Sequence, residues 1–239
     1  MTGLRADNLT KSFGGVTAVD HLSFSAAEGT VFSLLGVNGA GKTTVIRMLT
    51  GLLAPDSGSG EICSHPIGSP AAKSCIGLSP QETSTAPNLT VYENLYMTAS
   101  IYGLDYPKDA AEEIMASLSL TDHRQKYSKH LSGGLRRRLS IGMGIIHRPK
   151  VLFLDEPTLG LDVLARRELW DLVNELRQSM AVLLTTHYME EAEALSDEIA
   201  VMDRGRLLAS GTLDQLRTLT GMTSLEDIFV SLAKKGGAL

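Results

Sequence analysis

The segment GVNGAGKTT, from Gly36 to Thr44, constrains the fold more than any other part of this sequence. It matches the pattern G-x-x-x-x-G-K-[S/T], and it lies between an apolar, strand-like run and a helical pattern that begins at its lysine. In this context the glycines let backbone N–H groups turn toward phosphate oxygens, and the start of the helix adds a partial positive charge. The segment therefore predicts a phosphate-binding loop (P-loop) and hence an α/β nucleoside triphosphatase. The alternative is a glycine-rich turn that matches by chance.

The side chains of this loop indicate how a nucleotide is held. Lys42 is expected to reach the β- and γ-phosphates, and the Thr43 hydroxyl is expected to ligate magnesium. The loop residues assigned to nucleotide binding are Gly36, Asn38, Gly39, Ala40, Gly41, Lys42, Thr43 and Thr44.

A second segment, VLFLDEP at residues 151 to 157, predicts the other half of the site. Its four apolar residues predict a buried strand whose carboxyl end presents Asp155, where a carboxylate can hold the magnesium of a nucleotide on the neighbouring loop. Glu156 is then placed to orient or deprotonate a water molecule. A strand that merely ends in solvated acids is the alternative, which the phosphate-binding loop disfavours.

Short apolar, β-branched runs alternate with helical patterns along the chain, which is typical of a mostly parallel sheet covered by helices. The predicted strands are Thr30 to Leu35, Cys75 to Leu78, Val151 to Leu154, Ala181 to Thr185, Glu198 to Asp203 and Arg206 to Ala209. The predicted helices lie near Lys42 to Thr50, Val91 to Tyr102, Lys108 to Leu118, Gly133 to His147, Val163 to Gln178 and Met189 to Leu195.

Two regions depart from this alternation. From Thr83 to His147 the pattern is helical, which predicts a helical subdomain (83–147) inserted into a single domain (1–239). Near the end, the segment SLEDIFVSL places four apolar residues on one helical face, so residues 212–239 are expected to form a short C-terminal helical extension. Those four residues are Leu225, Ile228, Phe229 and Leu232.

Composition and charge argue against several other classes of protein. The chain has 239 residues, a net charge of −5 and 5% aromatic residues, so it lacks the basic surface of a typical nucleic-acid-binding domain. Its apolar runs are much shorter than a membrane-spanning helix. Cys63 and Cys75 form no metal-binding pattern, and we interpret them as packing residues in a reducing compartment. Any action at a membrane is therefore expected to need a partner.

The segment LSGGL, residues 131 to 135, decides among the many classes of P-loop enzyme. Ser132 and the N–H groups of Gly133 and Gly134 stand at the start of a predicted helix, and together they can form an anion site without any charged side chain. A glycine-started surface helix is the alternative. The three arginines that follow, Arg136 to Arg138, spread around the helix and are expected to be mainly solvated, with possible salt bridges.

At this position the sequence resembles the ATP-binding-cassette (ABC) ATPases, whose signature LSGGQ stands here as LSGGL. The resemblance covers nearly the whole chain. It implies a P-loop NTPase fold with a RecA-like core, an N-terminal antiparallel β subdomain and the inserted helical subdomain. In that family the signature faces the nucleotide held by a second copy, in a head-to-tail dimer. Leu135 replaces the family's glutamine, so any polar contact from that side chain to the opposed nucleotide is lost.

The resemblance assigns four further residues. Phe13 matches the aromatic residue that stacks on adenine, with a core phenylalanine as the alternative. Gln81 matches the glutamine that contacts magnesium and links the core to the insertion. Asp162, in LGLD, matches the segment at the dimer interface. His187 matches the switch histidine that contacts the γ-phosphate, although a lone histidine is otherwise more often structural.

The resemblance also implies a function. It implies hydrolysis of ATP to ADP and phosphate, with Lys42, Glu156 and His187 as catalytic residues and with ATP and magnesium bound. The expected partners are integral membrane permease subunits and a second copy of the chain or a homologous ATPase subunit, without nucleic acid. The expected location is the cytoplasmic face of a bacterial cell membrane, in the drug-resistance or exporter branch. The alternatives are a non-transport ABC ATPase acting on ribosomes or DNA, and an inactive regulatory subunit.

Overall fold

The structure is a computed structural model that describes residues 2–236. Residue 1 and residues 237–239, which fall within the predicted single domain and the predicted C-terminal extension, lie outside the described residues.

Two sheets hold the strands of the described chain. A six-stranded sheet has the order β10-β9-β3-β8-β7-β6, and a four-stranded sheet has the order β2-β1-β4-β5. The strands are β1 (Thr2–Phe13), β2 (Val16–Ala27), β3 (Val31–Leu35), β4 (Ser57–Ile62), β5 (His65–Pro66), β6 (Ile76–Ser79), β7 (Val151–Asp155), β8 (Ala181–Thr186), β9 (Glu198–Asp203) and β10 (Arg206–Gly211).

Nine α-helices lie within residues 2–236. They are α1 (Lys42–Leu49), α2 (Pro70–Ser74), α3 (Val91–Ile101), α4 (Pro107–Ser117), α5 (Gly133–Ile145), α6 (Val163–Leu176), α7 (Met189–Leu195), α8 (Leu213–Thr220) and α9 (Leu225–Gly236). Two short 3-10 turns, Thr121–His123 and Ser128–His130, separate α4 from α5.

The six-stranded sheet is parallel except at one edge. Strands β6, β7, β8, β3 and β9 pair in parallel, and β10 pairs antiparallel with β9. Every residue of β3, β7 and β8 is buried, as expected for central parallel strands that helices cover on both faces. This confirms the predicted mostly parallel α/β fold, and all six predicted strands and six predicted helices are found within two residues of their predicted bounds.

The four-stranded sheet is antiparallel and was expected only from the family resemblance. Strands β1 and β2 form a long hairpin with four register irregularities, and β1 also pairs with β4. The hairpin approaches the P-loop, because a Cβ on Gly41 would lie 2.4 Å from the Ala18 carbonyl oxygen. The β-hairpin thus forms one wall of the region around the loop.

Three apolar clusters stabilise these layers. One joins the antiparallel sheet to α1 and one face of the central sheet, a second joins the helices α3 to α6 to the opposite face, and a third seats the C-terminal helices. The four apolar residues predicted to share one face of the last helix are all buried in the third cluster, namely Leu225, Ile228, Phe229 and Leu232. Burial of this face explains why the closing segment folds back on the domain.

Cys63 and Cys75 are free thiols that pack, partly buried, against the first cluster, as the sequence predicted. The pKa of the Cys63 thiol is raised to about 11, mainly by burial and to a smaller extent by the nearby Cys75 thiol. No helix within residues 2–236 combines the length and the apolar character that a membrane span requires.

Candidate functional site

The P-loop connects the end of β3 to the start of α1. Gly41 has a φ of +101°, which favours glycine, and a Cβ on Gly36 would lie 2.6 Å from the Met202 carbonyl oxygen. Lys42, the first residue of α1, folds back over the loop and donates from Nζ to the carbonyl oxygen of Gly36 at 2.7 Å. The loop therefore has the close backbone packing that its glycines predict.

Three predicted catalytic side chains lie together at the carboxyl edge of the sheet. Glu156 Oε1 is 3.0 Å from Lys42 Nζ, and Glu156 Oε2 is 2.7 Å from His187 Nδ1. The side chains of Lys42 and Glu156 are each about 6% exposed, so this ion pair is shielded from solvent. The structure thus brings the predicted phosphate-binding lysine, the predicted water-activating glutamate and the predicted switch histidine into one cluster.

The backbone at Glu156 is unusual. Its φ is +48°, a left-handed conformation that is uncommon for a residue with a side chain. The N–H of Glu156 donates to both the carbonyl oxygen and Oγ1 of Thr185, at 3.1 and 3.0 Å, which fixes the turn against β8. Such strained conformations concentrate at functional sites, and here the strain turns the side chain toward the P-loop.

The predicted magnesium ligands also lie close together. Thr43 Oγ1 donates to Asp155 Oδ1 at 3.2 Å, and Thr185 Oγ1 donates to the same oxygen at 2.6 Å. Thr43, Gln81 and Asp155 line one cavity of about 500 Å³. A hydroxyl, an amide oxygen and a carboxylate are oxygen donors of the kind that magnesium prefers, so these residues fit that ion.

A second cavity, of about 480 Å³, lies directly over the P-loop. It has space for the phosphate groups of a nucleotide. Its lining consists of Ala18, Asn38, Gly39, Ala40, Gly41, Lys42, Thr43, Thr44, Gln81, Glu156, Leu159 and His187. Most of the predicted site residues therefore face one cleft.

Six predicted nucleotide-binding residues do not line that cleft, namely Phe13, Gly36, Ser132, Gly133, Gly134 and Asp162. Phe13 ends β1 with 48% of its surface exposed, so the alternative of a core phenylalanine is wrong. Ser132 is exposed and accepts a hydrogen bond from the N–H of Leu135 at 3.3 Å, as the N-cap of α5. Asp162 caps α6 through Ala165 N–H at 2.9 Å.

The signature glycines pack against the start of α6. A Cβ on Gly134 would lie 3.1 Å from the Ala165 Cβ, and one on Gly133 would lie 3.3 Å from Leu161. Leu135 is partly buried against the second apolar cluster. Its side chain therefore contributes to packing within this chain, which the sequence comparison with LSGGQ did not indicate.

The prediction that the three arginines of this helix are mainly solvated is wrong for Arg137. Its guanidinium is buried and donates to the carbonyl oxygens of Pro80 and Gln81, at 2.6 and 2.8 Å. Arg138 forms the kind of salt bridge that was expected, with Glu168 at 2.9 Å. Arg137 thus ties the signature helix to the backbone of the segment that carries Gln81.

The fold and the contacts around Lys42 define a P-loop nucleoside triphosphatase. The chain belongs to the ABC transporter family, whose model matches residues 19–159. It is an ATP-binding member of that family and an ATPase.

The comparisons with individual proteins agree with this membership. The chain is 39% identical over 233 residues to the linearmycin resistance ATP-binding protein LnrL of Bacillus subtilis, covering 95% of this chain and 75% of that protein. It is 42% identical over 222 residues to the Nod factor export ATP-binding protein I of Ralstonia nicotianae, covering 90% of this chain and 68% of that protein. A solved structure of the ATP-binding subunit of an ABC transporter matches with a TM-score of 0.86 at 28% identity, covering 96% and 99% of the two chains.

Proposed function

We propose that this chain is the ATP-hydrolysing subunit of an exporter, and that it works as a head-to-tail dimer that drives separate membrane-spanning subunits. The observation that carries this proposal is the cluster of Lys42, Glu156 and His187 over the P-loop, in a cleft that Ser132 does not line. The site has its own lysine, glutamate and histidine, but its signature serine points elsewhere. A second copy, or a homologous subunit, supplies the missing serine and glycine N–H groups.

Hydrolysis uses the side chains of the cluster. Lys42 and His187 are both paired with Glu156, so an incoming γ-phosphate competes with that carboxylate for them. Once released, Glu156 is free to accept a hydrogen bond from the attacking water and to orient it. Lys42, His187 and the partner's signature serine stabilise charge on the transferred group. The products are ADP and phosphate.

Phe13 and magnesium complete the nucleotide site. Phe13 is exposed at the end of β1, in the long β-hairpin, where its ring can stack on adenine. Thr43, Gln81 and Asp155 would hold magnesium, which neutralises charge on the β- and γ-phosphate oxygens when it is bound. Asp162, at the start of α6, takes part in the dimer interface.

An apolar groove supports docking of a membrane partner. It has a volume of about 320 Å³ and lies between the central sheet and the inserted helices. Leu52, Ile76 and Leu78 line one side, and Tyr102 and Met143 line the other. We assign this groove to a helix of a permease subunit, and we propose that the chain acts at the cytoplasmic face of a bacterial membrane.

The exporter assignment and the domain division rest on different observations. Relatives named for linearmycin resistance and Nod factor export support outward transport.

Helices α3, α4 and α5 fall within residues 83–147 and share one apolar cluster, which supports a helical subdomain there within a single domain. We likewise propose residues 212–239 as a C-terminal extension, of which α8 and α9 are described.

The Glu156→Gln variant tests this proposal. We expect it to retain ATP affinity, to lose hydrolysis, and to accumulate as a dimer with ATP on size-exclusion chromatography. The matched control is Glu175→Gln, which changes an exposed glutamate of α6 and is expected to behave like the parent. Hydrolysis by Glu156→Gln at the parental rate would show that Glu156 does not activate the water. A monomer at saturating ATP in that variant would contradict the shared site.

A further inference from the structure

One buried carboxyl group has no place in the site described above. Glu191 lies on α7, four residues after His187, and its side chain is fully buried. Its Oε1 accepts a hydrogen bond from Trp170 Nε1 at 3.3 Å, and within residues 2–236 its Oε2 completes no hydrogen bond with good geometry. Glu191 also forms no salt bridge with any described lysine, arginine or histidine. A carboxyl group in such a place needs an explanation, because burial of an unpaired charge is costly.

The neighbours of Glu191 come from the segments that carry the proposed catalytic groups. The hydroxyls of Thr186 and Thr158 both lie close enough to this carboxyl group to lower its pKa. Thr186 immediately precedes His187, and Thr158 stands two residues after Glu156. A single side chain therefore lies against both the end of β8 and the turn that follows β7.

Trp170 adds a third segment. Its indole donates to Glu191 from the middle of α6, the helix that begins at Asp162 and packs against the signature glycines. Movement of α6 would therefore displace the indole that donates a hydrogen bond to Glu191. The three contacts connect the proposed dimer-interface helix to the residues that carry Glu156 and His187.

The hydroxyl of Thr158 is not aligned with the carboxyl group of Glu191. Its Oγ1 is buried, and within the described residues it completes no hydrogen bond with good geometry, although Glu191 is beside it. A small shift of the turn that carries Glu156 would align the two groups. Entry of a γ-phosphate, which competes for Lys42 and His187, releases Glu156 for such a shift.

The surroundings of Glu191 raise its pKa. Burial raises the pKa of Glu191, and the nearby carboxylate of Glu156 raises it further, against the lowering by Thr186, Thr158 and Trp170. The buried guanidinium of Arg137, on α5, acts in the opposite sense: burial lowers the pKa of Arg137, and the carboxylates of Asp155 and Glu191 oppose that shift, so Arg137 favours the charged form of Glu191. Burial of Glu191 outweighs this attraction, and its pKa is raised. A neutral carboxyl group can both accept and donate hydrogen bonds, which suits it to join two hydroxyls and an indole.

We propose that Glu191 is a positioning residue for ATP hydrolysis, which aligns the turn carrying Glu156 with the strand end carrying His187. This inference rests on the proposed roles of Glu156 and His187. Glu191 itself does not face the cleft over the P-loop, so it acts through Thr158 and Thr186 rather than on the nucleotide.

The test compares Glu191→Ala, Glu191→Gln and the control Glu190→Gln, which changes an exposed glutamate of the same helix. We expect Glu191→Ala to lower kcat for ATP by about tenfold or more while the Kd for ATP changes less than about threefold. Glu191→Gln retains the shape and the hydrogen-bonding groups, so it should keep kcat within about threefold of the parent. The control should match the parent in both quantities. Circular dichroism and thermal unfolding report the folded fraction to which kcat is normalised.

A second variant covers the case in which Glu191→Ala does not fold. Thr158→Val keeps the shape of the side chain but removes its hydroxyl, and we expect it to lower kcat without changing the Kd for ATP. Combined with Glu191→Ala, or with Glu191→Leu if the alanine variant is unfolded, it should cost less than the product of the two single effects. Independent, multiplicative effects would overturn the proposal. So would a parental kcat in folded Glu191→Ala, or an equal loss in Glu191→Gln and Glu191→Ala.

Glu156→Gln, measured in parallel, separates this inference from the proposed function. If Glu156→Gln hydrolyses ATP like the parent, the proposed function fails whatever Glu191 does. If Glu156→Gln is inactive and the Glu191 variants behave like the parent, only the role of Glu191 is wrong.

Discussion

The carboxylate of Glu156 lies between Lys42 and His187, with Oε1 3.0 Å from the lysine Nζ and Oε2 2.7 Å from the histidine Nδ1. Lys42 and His187 are both expected to contact the γ-phosphate when ATP is bound. The carboxylate therefore pairs with the same two groups that we propose for the γ-phosphate. This pairing compensates the charge of a buried lysine.

Lys42→Ala tests the cost of breaking this pair. Removal of one partner leaves the other charge buried without compensation, which destabilises a protein by about 3–5 kcal/mol. We expect Lys42→Ala to lose ATP affinity and to unfold at lower urea concentration than the parent. Addition of Glu156→Gln to Lys42→Ala should restore much of the stability but none of the ATP affinity. Undiminished ATP affinity in Lys42→Ala would count against the P-loop assignment, and an additive double variant would show that the pair contributes nothing to stability.

Arg137→Gln tests the link between the signature helix and Gln81. The variant leaves the carbonyl oxygens of Pro80 and Gln81 without their donor, and loss of hydrogen bonds to a charged group costs about 1.5–3 kcal/mol each. We expect a lower melting temperature and, because Gln81 is a proposed magnesium ligand, a severalfold rise in the magnesium concentration for half-maximal ATPase activity. Arg167→Gln, an exposed position of α6, serves as the control. An unchanged magnesium requirement would show that the contact is structural only.

The elements that the sequence predicts best are the strands that are buried on both faces. Strands β3, β7 and β8 are buried throughout and mostly apolar because helices cover both of their faces, so short apolar runs identified them. The hairpin of β1 and β2 could not be delimited in this way, since its faces are partly solvated and its register is irregular. The pairing of charges in the cleft could not be predicted from the sequence either, because it depends on which rotamers Lys42 and His187 adopt.

Two buried charged side chains, Arg137 and Glu191, were not identified from the sequence, although a signal for each exists. After Arg138, the helix α5 continues as LSIGMGI without a charge, which indicates a helix buried around most of its circumference and hence at least one enclosed arginine. Glu191 lies four residues before the buried Leu195, on the same face of α7. For Arg137, local charge predicted solvation, but the helical period indicates burial. Both side chains are buried in the structure, in agreement with the helical period.

Leu135→Gln tests the position where this chain departs from the family signature. Because Leu135 packs partly against the apolar cluster of the inserted helices, we expect the variant to lose about 1–2 kcal/mol of folding stability. Any gain of a polar contact to the opposed nucleotide should change ATP affinity or dimer lifetime only modestly, since Ser132 and the glycine N–H groups remain. Urea unfolding and ATP-dependent dimer dissociation measure the two effects. Complete loss of activity would show that this position is more decisive than its packing implies.

Glu191 also predicts a pH dependence of folding stability. Burial raises the pKa of this carboxyl group above its ordinary value of 4.5, so the folded chain binds a proton there that the unfolded chain has released. The stability that Glu191 contributes is therefore fully present below about pH 4.5 and is lost as pH rises through the folded-state pKa. Glutamine at this position carries no such proton. We expect the free energy of unfolding of Glu191→Gln minus that of the parent to increase as pH rises above 4.5 and to level off once Glu191 is ionised in the folded chain.

Urea titrations of both proteins across this pH range measure the difference in the free energy of unfolding. The control Glu190→Gln alters an exposed carboxylate, so its difference from the parent should be nearly constant with pH. A difference for Glu191→Gln that does not change with pH would mean that Glu191 ionises at its ordinary pKa, and that the buried carboxyl group is charged throughout.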